Sequence, residues 1–196
     1  LMGADDRFAF LLMENPGLLI EMIEWVTEME FTFARAQIDA GADIIGIGEA
    51  GGFFMSPEAF KKFTYKHIKD LCRRVKEAGA VPLIHCCGYV PQCLPFAPEV
   101  NPGGAIQFDH QVKLGWAKEL IGDRITLMGN FDSNLVLAMG SVEQVEKATI
   151  KAIRSAGKGG GYWVSAGCEI QRATPLENMQ AIMRTVKTHG RYPLKI

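Results

Sequence analysis

The chain has 196 residues, 48% of them hydrophobic, and its 21 Lys and Arg against 22 Asp and Glu give a formal net charge of -1. Such a chain can form one domain with a substantial core, and without a basic excess it lacks the electrostatic footprint of a nucleic-acid binder. No apolar run reaches the roughly 18 residues of a membrane span, and Asp5, Asp6 and Arg7 come too early for a signal peptide. Five cysteines, including the adjacent Cys86 and Cys87, argue against a disulfide framework and for a reducing, cytoplasmic setting. The sequence opens on Leu1, partway into an element, as expected of a fragment, a processed product or a shortened chain.

After a short opening, residues 16–40 read as a helix. Asn15 can cap it, Pro16 suits its first position and Gly41 can end it. Leu19, Met22, Ile23, Val26, Met29, Phe33 and Ala36 recur at three- and four-residue steps and give it an apolar face. Residues 44–47 form a buried strand, followed by a glycine-rich loop, Gly48 to Gly52. Ser56, Pro57 and Glu58 then start a helix that runs to about Ala78 and ends at Gly79. Further strands are expected at 81–87, 105–108, 125–128 and 162–165. Helices are expected at 114–121, 142–156 and 175–189, with a short helix or irregular turn at 91–98.

Short, apolar, non-alternating strands separated by helices point to a parallel sheet buried on both sides, either an open doubly wound sheet or a (β/α) barrel. No P-loop fingerprint follows the first strand. Glu49, His85, Cys87, Asp109, Asn130, Asp132 and Cys168 all lie just after strands, which suits the C-terminal face of a barrel. The expected fold is therefore α/β, the C-terminal part of a (β/α)8 TIM barrel with about five βα units. The N-terminal strands are missing, and a partner, a homodimer or a preceding segment would cover the open edges.

His85 and Cys87 stand two apart at a strand end and so project to one face. Cys168, closing a later strand, can complete a His-Cys-Cys set, and three protein ligands with one exchangeable position is how zinc is held for catalysis. Cys86 has the opposite parity and belongs to the core, as does Cys72. Cys93 lies in a loop between Pro91 and Pro95 from which it can swing toward the metal. Glu49 either supplies an oxygen at the fourth position or hydrogen-bonds its own loop. Asp109 either orients the His85 ring through its other nitrogen or pairs with a basic residue. Asn130 and Asp132 either line the pocket or cap the following helix. His67, among Lys66, Lys69 and Asp70, is expected in solvent, and His110 and His189 have no identifiable partner. The basic face formed by Lys61, Lys62, Lys66, Lys69, Arg73, Arg74 and Lys76 is either solvated or meets an acidic partner.

The stretches GADIIGIGEAGGFFMSPEAFKKF, KEAGAVPLIHCCGYV, QFDHQVKL, ITLMGNFDSN and YWVSAGCEIQRATPLENMQAIMRTVK resemble, in this order, the uroporphyrinogen decarboxylase superfamily. The His-x-Cys with a distant Cys after a Gly is similar to its cobamide-dependent methyltransferase branch. That resemblance implies a barrel longer than this chain and zinc ligated by His85, Cys87 and Cys168. From their places after strands, Glu49 and Asp109 are expected in catalysis and Asn130 toward the cofactor. It also implies a methyl group moved between a corrinoid on a partner protein and a small-molecule donor or acceptor such as a thiol. The rival expectations are a metal-free decarboxylase of the parent family and a non-catalytic barrel fragment or scaffold subunit.

Overall fold

A computed structural model describes residues 6–49 and 55–195, so most of the glycine-rich loop after the first strand lies outside the described residues. Five parallel strands, β1 (Ile44–Glu49), β2 (Val81–Cys86), β3 (Ala105–Phe108), β4 (Thr126–Phe131) and β5 (Tyr162–Ala166), form one sheet. Its strand order, β1-β2-β3-β4-β5, is the sequence order. A doubly wound sheet reverses direction at a switch point. Here there is no reversal, and the sheet is a singly wound arc of a barrel.

Helices α1 (Asp6–Glu14) and α2 (Pro16–Asp39) precede β1. The Asn15 side chain accepts a hydrogen bond from the Leu18 N–H at 3.1 Å, which satisfies one donor left over at the α2 start. The chain then leaves the helix through Gly41 at φ 99°, a left-handed conformation that suits glycine. The expected single helix after Ser56 is continuous but not uniform. It runs as α3 (Pro57–Phe60), a π-helical turn over Lys61–Tyr65, and α4 (Lys66–Glu77). The short α5 (Ala97–Val100) follows a 3-10 turn after β2, α6 (Leu114–Ile121) links β3 to β4, and α7 (Val142–Ala156) links β4 to β5. Helix α8 (Leu176–His189) follows β5.

The strands bury one face against these helices. Ile45 and Ile47 of β1, Ile84 and Cys86 of β2, Ile106 and Phe108 of β3 and Leu127 of β4 share a core with Leu71, Cys72 and Val75 of α4 and Ala117 and Ile121 of α6. On the opposite, barrel-interior face the alternate positions are more open. Ile44 is 46% exposed, Val81 40% and Trp163 38%, although all three are large and apolar. An arc of five strands leaves its concave side uncovered, whereas a closed barrel fills it with side chains.

The basic face of the α3–α4 helix is solvated, and three of its seven basic residues pair within the chain: Arg73 with Asp70 and Glu77, Arg74 with Glu28 and Lys66 with Glu24 of α2. One surface expectation changes. His67, expected in solvent, is buried, and its Nε2 has no hydrogen-bond partner among the described residues. The helical period turns it toward the interior with Ile68, Leu71 and Val75, and its charged neighbours Lys66 and Asp70 hid this in the sequence.

Candidate metal centre

The end of β2 divides its residues by parity. His85 pairs in register with Gly48 of β1 and Gln107 of β3 on the interior face. Cys86 pairs with Glu49 and Phe108 and is 6% exposed in the helix-facing core. The Cys87 N–H continues the ladder to the Glu49 carbonyl at 3.3 Å, so Cys87 returns to the side of His85. A Cβ at Gly48, the register neighbour of His85, would meet nothing within 4 Å among the described residues.

Cys168 arrives from the far end of the sheet, two residues beyond β5. The Gly167 N–H bonds the Phe131 carbonyl at 2.9 Å, which extends the β4–β5 ladder by one step. A Cβ at Gly167 would lie 2.6 Å from the His110 backbone nitrogen and 3.2 Å from the Asp109 Cα. No other residue allows so close an approach, and it carries Cys168 to the centre. His85 Nε2 lies 3.7 Å from Cys168 Sγ, and the two sulfurs of Cys87 and Cys168 are 3.8 Å apart. All three candidate ligand atoms fall within 4.8 Å of one another, and among the described residues no other His, Cys, Asp or Glu joins them.

The two distances from the Cys168 sulfur fit a tetrahedral ion. Zinc–sulfur bonds of about 2.3 Å and zinc–nitrogen bonds of about 2.0 Å at tetrahedral angles put sulfurs about 3.8 Å apart and nitrogen about 3.5 Å from sulfur. The His85 ring presents Nε2 to this space, and its buried Nδ1 has no hydrogen-bond partner among the described residues. Burial first, and then the neighbouring Cys168 thiol and the Asp109 carboxylate, push the Cys87 thiol above its ordinary value. Without a cation Cys87 therefore stays protonated at neutral pH, which suits a site whose sulfurs ionise on metal binding.

Four sequence expectations are altered. Glu49 stands apart from the three candidate ligands: it is buried on the helix-facing side, in register with Cys86, and its charge helps raise the Cys86 and Cys93 thiols. One step of strand parity separates it from the His85 face. Cys93 is 4% exposed and packed in the core rather than free to swing, with its thiol pushed up to about 12 mainly by burial. Asp109 does not reach His85. Its Oδ1 accepts from the Gln111 N–H at 3.0 Å and meets His110 Nδ1 at 3.0 Å. Asn130 caps no helix: its amide donates to the Asp109 and Val112 carbonyls at 2.9 and 2.6 Å and pins the loop after β3. Asp132 does cap, accepting from the Asn134 and Leu135 N–H groups at 2.7 and 2.9 Å.

The sequence also gave no hint of the setting of His110, whose Nε2 lies 3.4 Å from Asp132 Oδ2 while Nδ1 faces Asp109. An imidazole between two carboxylates at the strand ends was invisible because Asp132 is 22 positions away and on the next strand. Gly167 was visible only as a small residue before Cys168.

The chain is similar to a methyltransferase from Methanosarcina mazei, with a TM-score of 0.85 at 25% identity; the match covers 95% of this chain and 54% of that one. That likeness makes the five-stranded arc part of a TIM barrel. Among curated proteins, the methylcobamide:CoM methyltransferase MtaA of Methanosarcina barkeri is 32% identical over 176 residues, covering 87% of this chain and 49% of the relative. The uroporphyrinogen decarboxylase of Coxiella burnetii is 26% identical over 181 residues, covering 90% and 49%. The chain thus spans about half the length of the curated relatives it matches. The family model described as uroporphyrinogen decarboxylase (URO-D) matches residues 5–189, nearly the whole sequence, and the chain belongs to that family.

Proposed function

We propose that this chain carries the zinc site of a corrinoid-dependent methyltransferase. The observation that carries the reading is the convergence of His85 Nε2, Cys87 Sγ and Cys168 Sγ within 4.8 Å, with the two sulfurs 3.8 Å apart and Nε2 3.7 Å from the Cys168 sulfur. When bound there, zinc supplies Lewis acidity that ionises a thiol near neutral pH. His85 contributes a neutral imidazole, held on β2 with Nε2 toward the two sulfurs. Cys87 and Cys168 release their protons as they become ligands, and their two negative charges balance the metal. Three protein ligands leave the fourth position of a tetrahedral zinc for a small molecule. In this reading the second substrate is a corrinoid presented by a partner protein at the C-terminal mouth of the barrel. The small molecule is a thiol acceptor or another methyl donor or acceptor. The similarity to the methylcobamide:CoM methyltransferase supports that choice.

The test is methyl transfer from methylcobalamin to a panel of thiols, followed by the loss of the methyl-cobalt absorbance. Zinc-loaded protein is expected to transfer the methyl group, and Cys87→Ser and Cys168→Ser variants are expected to lose the reaction. Zinc-loaded protein that transfers to no thiol and accepts no methyl donor would overturn the reading. The second reading, a metal-free decarboxylase, rests on the comparable match to uroporphyrinogen decarboxylase. It requires full activity in the absence of zinc and in the Cys168→Ser variant.

A further inference from the structure

Gln107 stands on the interior face of β3, directly in register with His85 across the β2–β3 ladder. In a barrel, inward-pointing side chains of alternate strands lie in a common layer. Gln107 follows that rule and reaches past β4 to β5. Its Nε2 donates to the Ala166 carbonyl at 3.0 Å and approaches Ser165 Oγ at 3.4 Å. Ala166 ends β5, and Cys168 is two residues further on.

The centre is assembled from two distant arms. His85 and Cys87 come from β2, while Cys168 comes from a turn beyond β5. That turn is tied to the neighbouring strand by the Gly167 N–H bond to Phe131. Gln107 ties it to the strand that flanks His85, and it does so with a side chain, which makes it separable by mutation. A functional constellation must be held within about 0.5 Å of its working geometry by supporting contacts, and a ligand on a loop is placed less exactly than one on a strand.

We propose that Gln107 is a positioning residue of the metal centre, its amide bracing the Ala166 carbonyl so that the Cys168 sulfur is held at ligand distance from His85 and Cys87. This rests on the zinc reading above. A polar side chain that merely fills the barrel interior would be replaceable by one of equal bulk. A strut requires the amide N–H.

The experiment compares the full chain with Gln107→Leu, which keeps the bulk, Gln107→Glu, which keeps the length without the donor, and Ser165→Ala, which removes only the longer contact. Zinc affinity and the rate of zinc release to a chromophoric chelator are measured, together with the melting temperature of the metal-free proteins. In the metal-free proteins the Cys87–Cys168 disulfide is also equilibrated with oxidised and reduced glutathione. Each disulfide formed consumes one oxidised glutathione and yields two reduced molecules, so its equilibrium constant reports how well the sulfurs are held together. The Leu and Glu variants are expected to bind zinc about tenfold more weakly and to release it correspondingly faster. They should form the disulfide several-fold less readily, with the metal-free melting temperature unchanged, while Ser165→Ala behaves as wild type. If the Leu variant fails to fold, the Glu variant carries the same expectation. Zinc affinity, release and disulfide stability all equal to wild type in both Gln107 variants would overturn the inference. A wild type that binds no zinc would instead overturn the proposed function. The disulfide constants would then decide the role of Gln107 alone: lowered in the variants they support it, unchanged they refute it.

Discussion

On the helix-facing side of the sheet, Ile84, Ile106, Phe108 and Leu127 are at most 3% exposed and lock into one core, with Cys86 among them. One residue along the same strands, His85, Cys87 and Gln107 are half-buried and turn to the concave face. The first face is closed mainly by apolar contact, with the Glu49 carboxylate buried at its edge. The second collects polar atoms at fixed distances within an open arc. Cys86 and Cys87 show how sharp the division is, because a single peptide bond takes one thiol into the core and the other to the candidate metal centre. Position along the strand thus decides chemistry more than residue type does.

The comparison is broken most strongly from the core side. Phe108→Ala, at a fully buried position, should cost about 3–5 kcal/mol in urea unfolding, from lost transfer energy and the cavity left behind. Zinc bound per folded chain should not change. Next come the paired thiol substitutions. Cys87→Ser should lower zinc affinity at least about a hundredfold, beyond the range seen for outer partners of a metal ligand, and leave metal-free stability near wild type. Cys86→Ser should do the reverse, costing about 1–3 kcal/mol for a hydroxyl buried in the core with zinc retained. Equal zinc loss in both would erase the distinction between the faces.

A smaller effect belongs to the strand ends. Asp132→Ala removes a side chain that accepts two backbone N–H groups, and should cost about 1 kcal/mol. The smallest concerns His67. Burial, reinforced by Lys66, holds its pKa below the ordinary value. Between that lowered native value and the unfolded value of about 6.5, the unfolded chain binds the extra proton, so stability falls as pH drops through this window. In His67→Leu the loss of urea midpoint on going from about pH 7.5 to about pH 5.5 should be smaller than in wild type. An unchanged pH response would show that His67 carries none of it.

Much of this was readable from residue order. The helix starts at Asn15 and Ser56 carry side-chain oxygens that cap in the structure, and β3 spans the expected 105–108. The opposite fates of Cys86 and Cys87 follow from the two-residue period of a strand. For Glu49 proximity to a strand end was weighed and parity was not. Its face is set by register with Cys86, a tertiary fact. His67 was misjudged because its charged sequence neighbours outvoted its helical period. The contacts of Gln107 and Asn130 cross from one strand to another, and a linear chain carries no local signal for such pairs. The π-helical turn at Lys61–Tyr65 likewise has no Gly or Pro to announce it.

Zinc-edge X-ray absorption on protein purified without chelator tests the central claim most directly. The expected result is one zinc per chain, with one nitrogen near about 2.0–2.1 Å, two sulfurs near about 2.3 Å and a light atom in the fourth position, the sulfur count falling to one in Cys168→Ser. Protein that binds no zinc, or zinc whose shell holds no sulfur and is indifferent to Cys168→Ser, would contradict it.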